Sequence, residues 1–264
     1  MRPLFLLLLT LVLSINAHTT IHATTQKSNG IEVRIMHLYP PQGNRLMGLA
    51  IDSLDTPTIK GVEKVSLIHR GKTTNVTPAV HTFSLSNDST SSLALVVSLY
   101  EHHELKGAGD FIVVSQHIPH LKPTGIYIQL VTKSFYNKNG FLTDWPNRVL
   151  VDMPEIIPLT NPTAFFKGDI FRAYAVDEKG EPIAHKKISI EFLNRSLTDS
   201  TLGATPLIPQ EQATTIVYTD SNGVFSFIPR AKGLWSFTLV DGDSGIIINN
   251  KELHFNSLLT LEVQ

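Results

Sequence analysis

The residues best suited to chemistry in this chain are imidazoles. It carries 11 His and no Cys in 264 residues, so a transition-metal site would have to be built from imidazole, carboxylate, amine or backbone donors. Imidazole is a good ligand for Ni(II), Co(II), Cu(II) and Zn(II). The densest cluster is Glu101-His102-His103-Glu104, followed by Gln116, His117 and His120. Phe111 to His117 reads as a strand, which places His117 on the face of Ser115, and Pro119 then turns the chain and brings His120 back beside it. Adjacent His102 and His103 point to opposite faces of an extended chain, so at most one of them joins His117 and His120. The competing reading is a solvated polar loop, because this spacing is not a recurring metal motif.

A second set of donors lies near the N-terminus. Cleavage after Ala17 would leave His18 with a free amine beside its own imidazole and His22 four residues on, a chelate that suits square-planar Ni(II) or Cu(II). Cleavage after Ala23 would remove both. His37, His69, His81, His185 and His254 are scattered and read as surface or strand-end residues.

Motifs for covalent catalysis are missing. Gly242-Asp243-Ser244-Gly245 resembles a serine-protease nucleophile run, but no matching His or Asp context precedes it, and it falls where a hairpin turn is expected. Asp241 and Asp243 lack the further spaced carboxylates of a calcium loop. Neither Gly-x-Ser-x-Gly, His-Glu-x-x-His nor a phosphate-cradling Gly loop is present. The chain reads as non-enzymatic.

The elements that must position these residues are strands. Formal net charge is −1 with 42% apolar and 17% charged residues, which leaves no electrostatic footprint for nucleic acid and enough apolar mass for two domains of about 110–120 residues. Arg2, the apolar run Leu4 to Leu13 and a small residue at Ala17 or Ala23 form a secretion signal within residues 1–23. A ten-residue helix rises only about 15 Å, half of a bilayer core, so the segment is not an anchor and the mature chain is expected to lack a transmembrane segment.

From residue 24 to 152 the expectation is an N-terminal β domain, with strands at Ile31–Leu38, Gly61–His69, Ser92–Tyr100, Phe111–Ser115 and Ile126–Thr132. The proline-rich run Val151 to Thr163 reads as an extended crossing between domains. Residues 153–264 then read as an immunoglobulin-like or transthyretin-like β-sandwich, with strands at Ile170–Val176, Lys187–Phe192, Thr214–Tyr218 and Leu258–Val263. Its most aromatic part, Tyr218 to Gly242, is expected to be a hairpin of Val224–Ile228 with the strand of Trp235, Phe237 and Leu239, opened by an Asp220-Ser221-Asn222-Gly223 turn. Trp235 reads as core. Asn194 to Gln212 is a polar connection longer than the usual 12–15 residues. The fold class expected is all-β, with two β-sandwich domains.

Particular residues of this sandwich resemble a known family. Pro154-Glu155-Ile156-Ile157-Pro158-Leu159-Thr160-Asn161-Pro162, Gly168-Asp169, Gly180-Glu181-Pro182 and Thr219-Asp220-Ser221-Asn222-Gly223 are similar to the periplasmic accessory component of nickel and cobalt energy-coupling-factor importers, the NikK-type family. The turns alone also resemble carboxypeptidase-regulatory-like and transthyretin-like modules, and the run Pro154 to Pro162 discriminates. Two departures are visible: Gly233-Leu234-Trp235-Ser236-Phe237 keeps one Trp where the family has two, and Leu130-Val131-Thr132-Lys133 lacks the His that precedes Thr-Lys in the family. The resemblance implies a periplasmic protein whose partners are a transition-metal ion, Ni2+ or Co2+, and the membrane subunits of an importer. The other functional expectation is a structural or adhesive module that binds protein or glycan through its loops.

Overall fold

The computed structural model describes residues 18–24, 32–38, 62–77, 80–84, 93–98, 107–122, 124–192 and 214–264. In chain order the strands are β1 (His18–Thr24), β2 (Glu32–Leu38), β3 (Val62–His69), β4 (Lys72–Asn75), β5 (Val80–Ser84), β6 (Leu93–Ser98), β7 (Gly109–His117) and β8 (His120–Leu121). They continue with β9 (Tyr127–Lys138), β10 (Glu155–Pro158), β11 (Phe171–Val176), β12 (Lys187–Phe192), β13 (Thr214–Tyr218), β14 (Val224–Phe227), β15 (Gly233–Ile248) and β16 (Lys251–Val263). The all-β sandwich character expected from the alternating runs is what the protein has. No helix among the described residues is long and apolar enough to cross a membrane. The signal-like segment before His18, the His102-His103 pair and Asn194 to Gln212 lie outside the described residues.

Among the described residues the strands form three sheets. One has the order β1-β2-β6-β5, a second the order β10-β11-β14, and the largest runs β13-β12-β15-β16-β9-β7-β3-β4, with β8 also paired to β9. The largest sheet joins strands from both halves of the sequence because β16 lies parallel to β9, from Leu253 opposite Tyr127 to Thr260 opposite Ser134. β1 lies across β9, with β7 and β16 beside it. Nearly every residue of β7 is buried, rather than alternate ones.

The main core lies between the small sheet and the β12-β15-β16 side of the large one. Phe171, Ala173, Ala175 and Phe225 face Ile188, Ile190, Phe192, Trp235, Phe237 and Leu239 across it. The rings interlock in tilted and edge-on pairs: Phe171–Phe237 at 4.6 Å, Phe192–Trp235 at 5.0 Å and Phe227–Phe237 at 5.8 Å between centroids. Each such pair adds about 0.5–1.5 kcal/mol beyond the area it buries. Trp235 is buried as core, and its indole N–H donates to the Ala231 carbonyl at 3.0 Å.

Three local expectations change. β14 and the Trp235 strand are not a hairpin, since β14 pairs with β11 and β15 with β12 and β16. Pro229 has no N–H for a ladder, and the segment after it carries the chain from one sheet to the other. Gly242 to Gly245 is not the hairpin turn either. It lies within β15, where the register to β16 slips twice, and the turn falls at Asn249 and Asn250, both at positive φ (49° and 61°) as a two-residue hairpin requires. Finally, the proline-rich crossing contains β10, an edge strand, where Pro158 is tolerated.

Candidate functional site

His117 and His120 stand at the junction of β7 and β8 beside β9. His117 ends β7 opposite Val62, and its side chain is buried. The His117 carbonyl accepts from the Gln129 amide at 2.8 Å, and the same amide reaches Glu63 at 3.1 Å. His120 starts β8 opposite Ile128 and is exposed. The two imidazoles therefore sit in different surroundings, one covered and one open to solvent. Partial desolvation, and then the charge of Lys122, hold the His120 imidazole below its ordinary pKa. The ring stays neutral to a lower pH, which favours a ligand role, whereas the Lys122 charge disfavours a cation beside it.

His18 and His22 lie in β1, opposite Leu38 and Arg34 of β2. Four residues of extended chain separate them by about 13 Å along the backbone. That backbone separation is longer than the compact chelate of neighbouring donors, and the register partner of His22 is Arg34. Among the described residues no three His, Asp or Glu side chains converge in a shell that could hold a metal ion.

The charged groups that do converge were not singled out by sequence spacing. Asp110 at the start of β7 is fully buried. Its Oδ2 accepts the backbone N–H groups of Thr143, Asp144 and Trp145 at 2.6, 2.9 and 3.3 Å, and its Oδ1 accepts from Asn137 at 2.6 Å. Asp144 in turn takes the N–H groups of Arg70 and Gly71 at 2.6 and 2.9 Å. The two carboxylates pin the 139–145 segment to the β3–β4 turn. His69 completes the assembly, its Nδ1 at 2.8 Å from the Asp110 carbonyl and its ring stacked 4.0 Å over Phe111. Every oxygen of the two acids is engaged by the protein, so the cluster is built to hold backbone.

A second buried pair joins Lys133 of β9 to Glu155 of β10. Glu155 Oε1 contacts the Lys133 ammonium, and Oε2 accepts the N–H groups of Val149 and Leu150 at 2.9 and 2.8 Å. The Lys133 Nζ also lies 5.4 Å from the Phe135 ring centroid. Burial pushes the Lys133 pKa down, although Glu155 pulls it back up. Sequence alone hides this lysine, because a Lys in an alternating strand ordinarily marks the solvent face. The Gly242–Gly245 run is also occupied structurally: the Ser244 hydroxyl donates to the Leu253 carbonyl and accepts the Ile246 N–H at 3.0 Å.

No curated protein matches this chain. A family profile described as a domain of unknown function, DUF4198, matches residues 15–241. That span takes in the buried Lys133–Glu155 pair, the Asp110–Asp144 assembly and the aromatic core up to Leu239, and the chain belongs to the DUF4198 family.

Proposed function

We propose that the protein is an exported, non-enzymatic accessory component of nickel or cobalt uptake, which binds the ion or docks on the membrane subunits of the importer. One observation carries most weight. Thr132-Lys133, the part of Leu130 to Lys133 that matches the importer accessory proteins, and the run Pro154 to Pro162 are 22 residues apart between Lys133 and Glu155, yet meet in one buried ion pair. A shared pattern whose parts depend on each other in space is harder to meet by chance than the same residues scattered over a surface. The signal-like N-terminus and the abundance of His without Cys are in keeping with this role.

For direct binding, the donors the sequence offers are the amine and imidazole of His18 after cleavage behind Ala17, with His22, His102, His103, His117 and His120 as further imidazoles, which do not form one shell in the described residues. Affinity should fall as imidazoles protonate below about pH 6.5. Isothermal titration of the processed chain with Ni2+ or Co2+ tests this. Heat at micromolar metal, lost in His18→Ala, supports binding at the N-terminus, and heat lost only when His102, His103, His117 and His120 are replaced supports the second set. No heat up to millimolar metal rejects direct binding. Docking then remains, and failure to co-purify with the importer's membrane subunits removes it.

A second reading, a module that binds protein through its edges, draws on β13. This strand ends the large sheet, and Ile216 and Tyr218 on its outer side are exposed. An open ladder of this kind can accept an added strand. A peptide partner recovered by the wild-type chain and lost in Ile216→Pro would favour it.

A further inference from the structure

One end of the C-terminal sandwich carries apolar side chains on turns rather than in a groove. Phe166 and Ile170 flank the turn before β11, and Ile228 directly follows β14. All three are large and about half exposed, at 51, 56 and 52%. They are contiguous: β11 and β14 pair from Tyr174 opposite Val224 to Phe171 opposite Phe227, which sets Ile170 and Ile228 at the next rung, and the Gly168 N–H donates to the Pro229 carbonyl at 3.2 Å. Exposed cations are interleaved with them at Lys167, Arg172 and Arg230. Asp169 is the acidic residue of the turn, and its carboxylate accepts the Phe166 N–H at 3.1 Å; the backbone carbonyl of Gln264, the last residue, also lies at this end.

The turn has an unusual hydrogen-bond balance. Four successive backbone N–H groups have acceptors inside the protein: Phe166 on Asp169, Lys167 on the Gln264 carbonyl, Gly168 on Pro229 and Asp169 on the Phe166 carbonyl at 3.1 Å. Exposed turns ordinarily leave such groups to water. Where every donor is satisfied internally, the turn can enter a medium poor in water without stranding an N–H group.

We propose that this tip docks the protein on an anionic bilayer surface, with Phe166, Ile170 and Ile228 entering the headgroup boundary and Lys167, Arg172 and Arg230 meeting lipid phosphates. Apolar residues ringed by cations are the chemistry that binds such surfaces, and the cationic contribution is screened by salt. The proposal is independent of metal binding and adds a membrane contact that importer docking does not require.

Flotation of the purified full chain with vesicles tests it. The chain is expected to float with phosphatidylglycerol-containing vesicles at low salt, several-fold less at high salt, and several-fold less with phosphatidylcholine alone. Phe166→Ser/Ile170→Ser and Lys167→Glu/Arg230→Glu should each lower flotation several-fold while the melting temperature stays near that of the parent. Phe166→Trp supplies a second readout, a blue shift of its added emission on anionic vesicles. Absence of flotation, flotation indifferent to lipid charge or to these substitutions, or recruitment only by vesicles that contain a membrane protein overturns the proposal, the last assigning the tip to a protein partner.

Discussion

Lys133 and Glu155 form a buried ion pair between β9 and β10, with the Lys and Glu side chains 2% and 0% exposed. Glu155 also takes the backbone N–H groups of Val149 and Leu150, so a single carboxylate secures the segment leading into β10. Breaking such a pair from one side leaves a charge without compensation in the core, which costs about 3–5 kcal/mol. Lys133→Met and Glu155→Gln are each expected to lose that much in urea unfolding. The double variant Lys133→Met/Glu155→Gln is expected to lose clearly less than the sum of the two, since neither charge remains.

Asp110 gathers three successive backbone N–H groups and the Asn137 amide. Asp110→Ala strands those donors, and each buried donor left unmade costs about 1–3 kcal/mol. Hydrogen exchange should show the Thr143, Asp144 and Trp145 amides losing protection together, with the β12–β15 amides affected much less.

Gly71 and Gly223 have the same φ, +73°, but different surroundings. A Cβ at Gly71 meets nothing within 4 Å, whereas one at Gly223 falls 2.7 Å from the Ala175 carbonyl oxygen. Gly71→Ala should therefore cost only the left-handed penalty, about 1–2 kcal/mol. Gly223→Ala should cost roughly 1–3 kcal/mol more, because it also forces apart the turn and β11. Thermal unfolding of the two variants side by side measures the difference.

His120 has a folded-state pKa lowered first by desolvation and then by Lys122. Between that lowered value and the ordinary His value near 6.5, the unfolded chain binds more protons than the folded one. The stabilisation tied to its neutral form is thus present above about pH 6.5 and is lost as pH falls through the folded pKa. The stability difference between wild type and His120→Gln should change across that window and stay flat above it. An NMR titration of His120 that shows no downward shift would falsify the assignment.

Much of the fold was legible in the chain. β12 and β13 span Lys187–Phe192 and Thr214–Tyr218, the limits their alternation predicts, and Ile188, Ile190 and Phe192 face the core. The turn before β14 is built as its residues dictate: Asp220 accepts the N–H groups of Asn222 and Val224 at 2.8 and 2.9 Å, and Gly223 takes positive φ. Less of the candidate site was legible. His117 lies on a buried strand end and His120 on an exposed one, a difference that the spacing of the two residues does not carry.

The sequence by itself determined that the chain folds as β-sheet, the inward face of strands such as β12 and the Asp220–Gly223 turn, because period-2 alternation and turn chemistry act over a few neighbours. It also determined that no thiolate or disulfide takes part, since there is no Cys. Only the tertiary structure decided which strands meet. β14 and β15 are close in sequence yet lie in opposite sheets, while β9 and β16 are far apart and run side by side. Alternation marks a face without naming its partner, and partner choice is settled by how all the apolar faces are buried at once. The same holds for Lys133 and Glu155. Their charges are explicit in the chain, but the dry contact between them exists only because the fold packs β10 beside β16, the strand that lies parallel to β9.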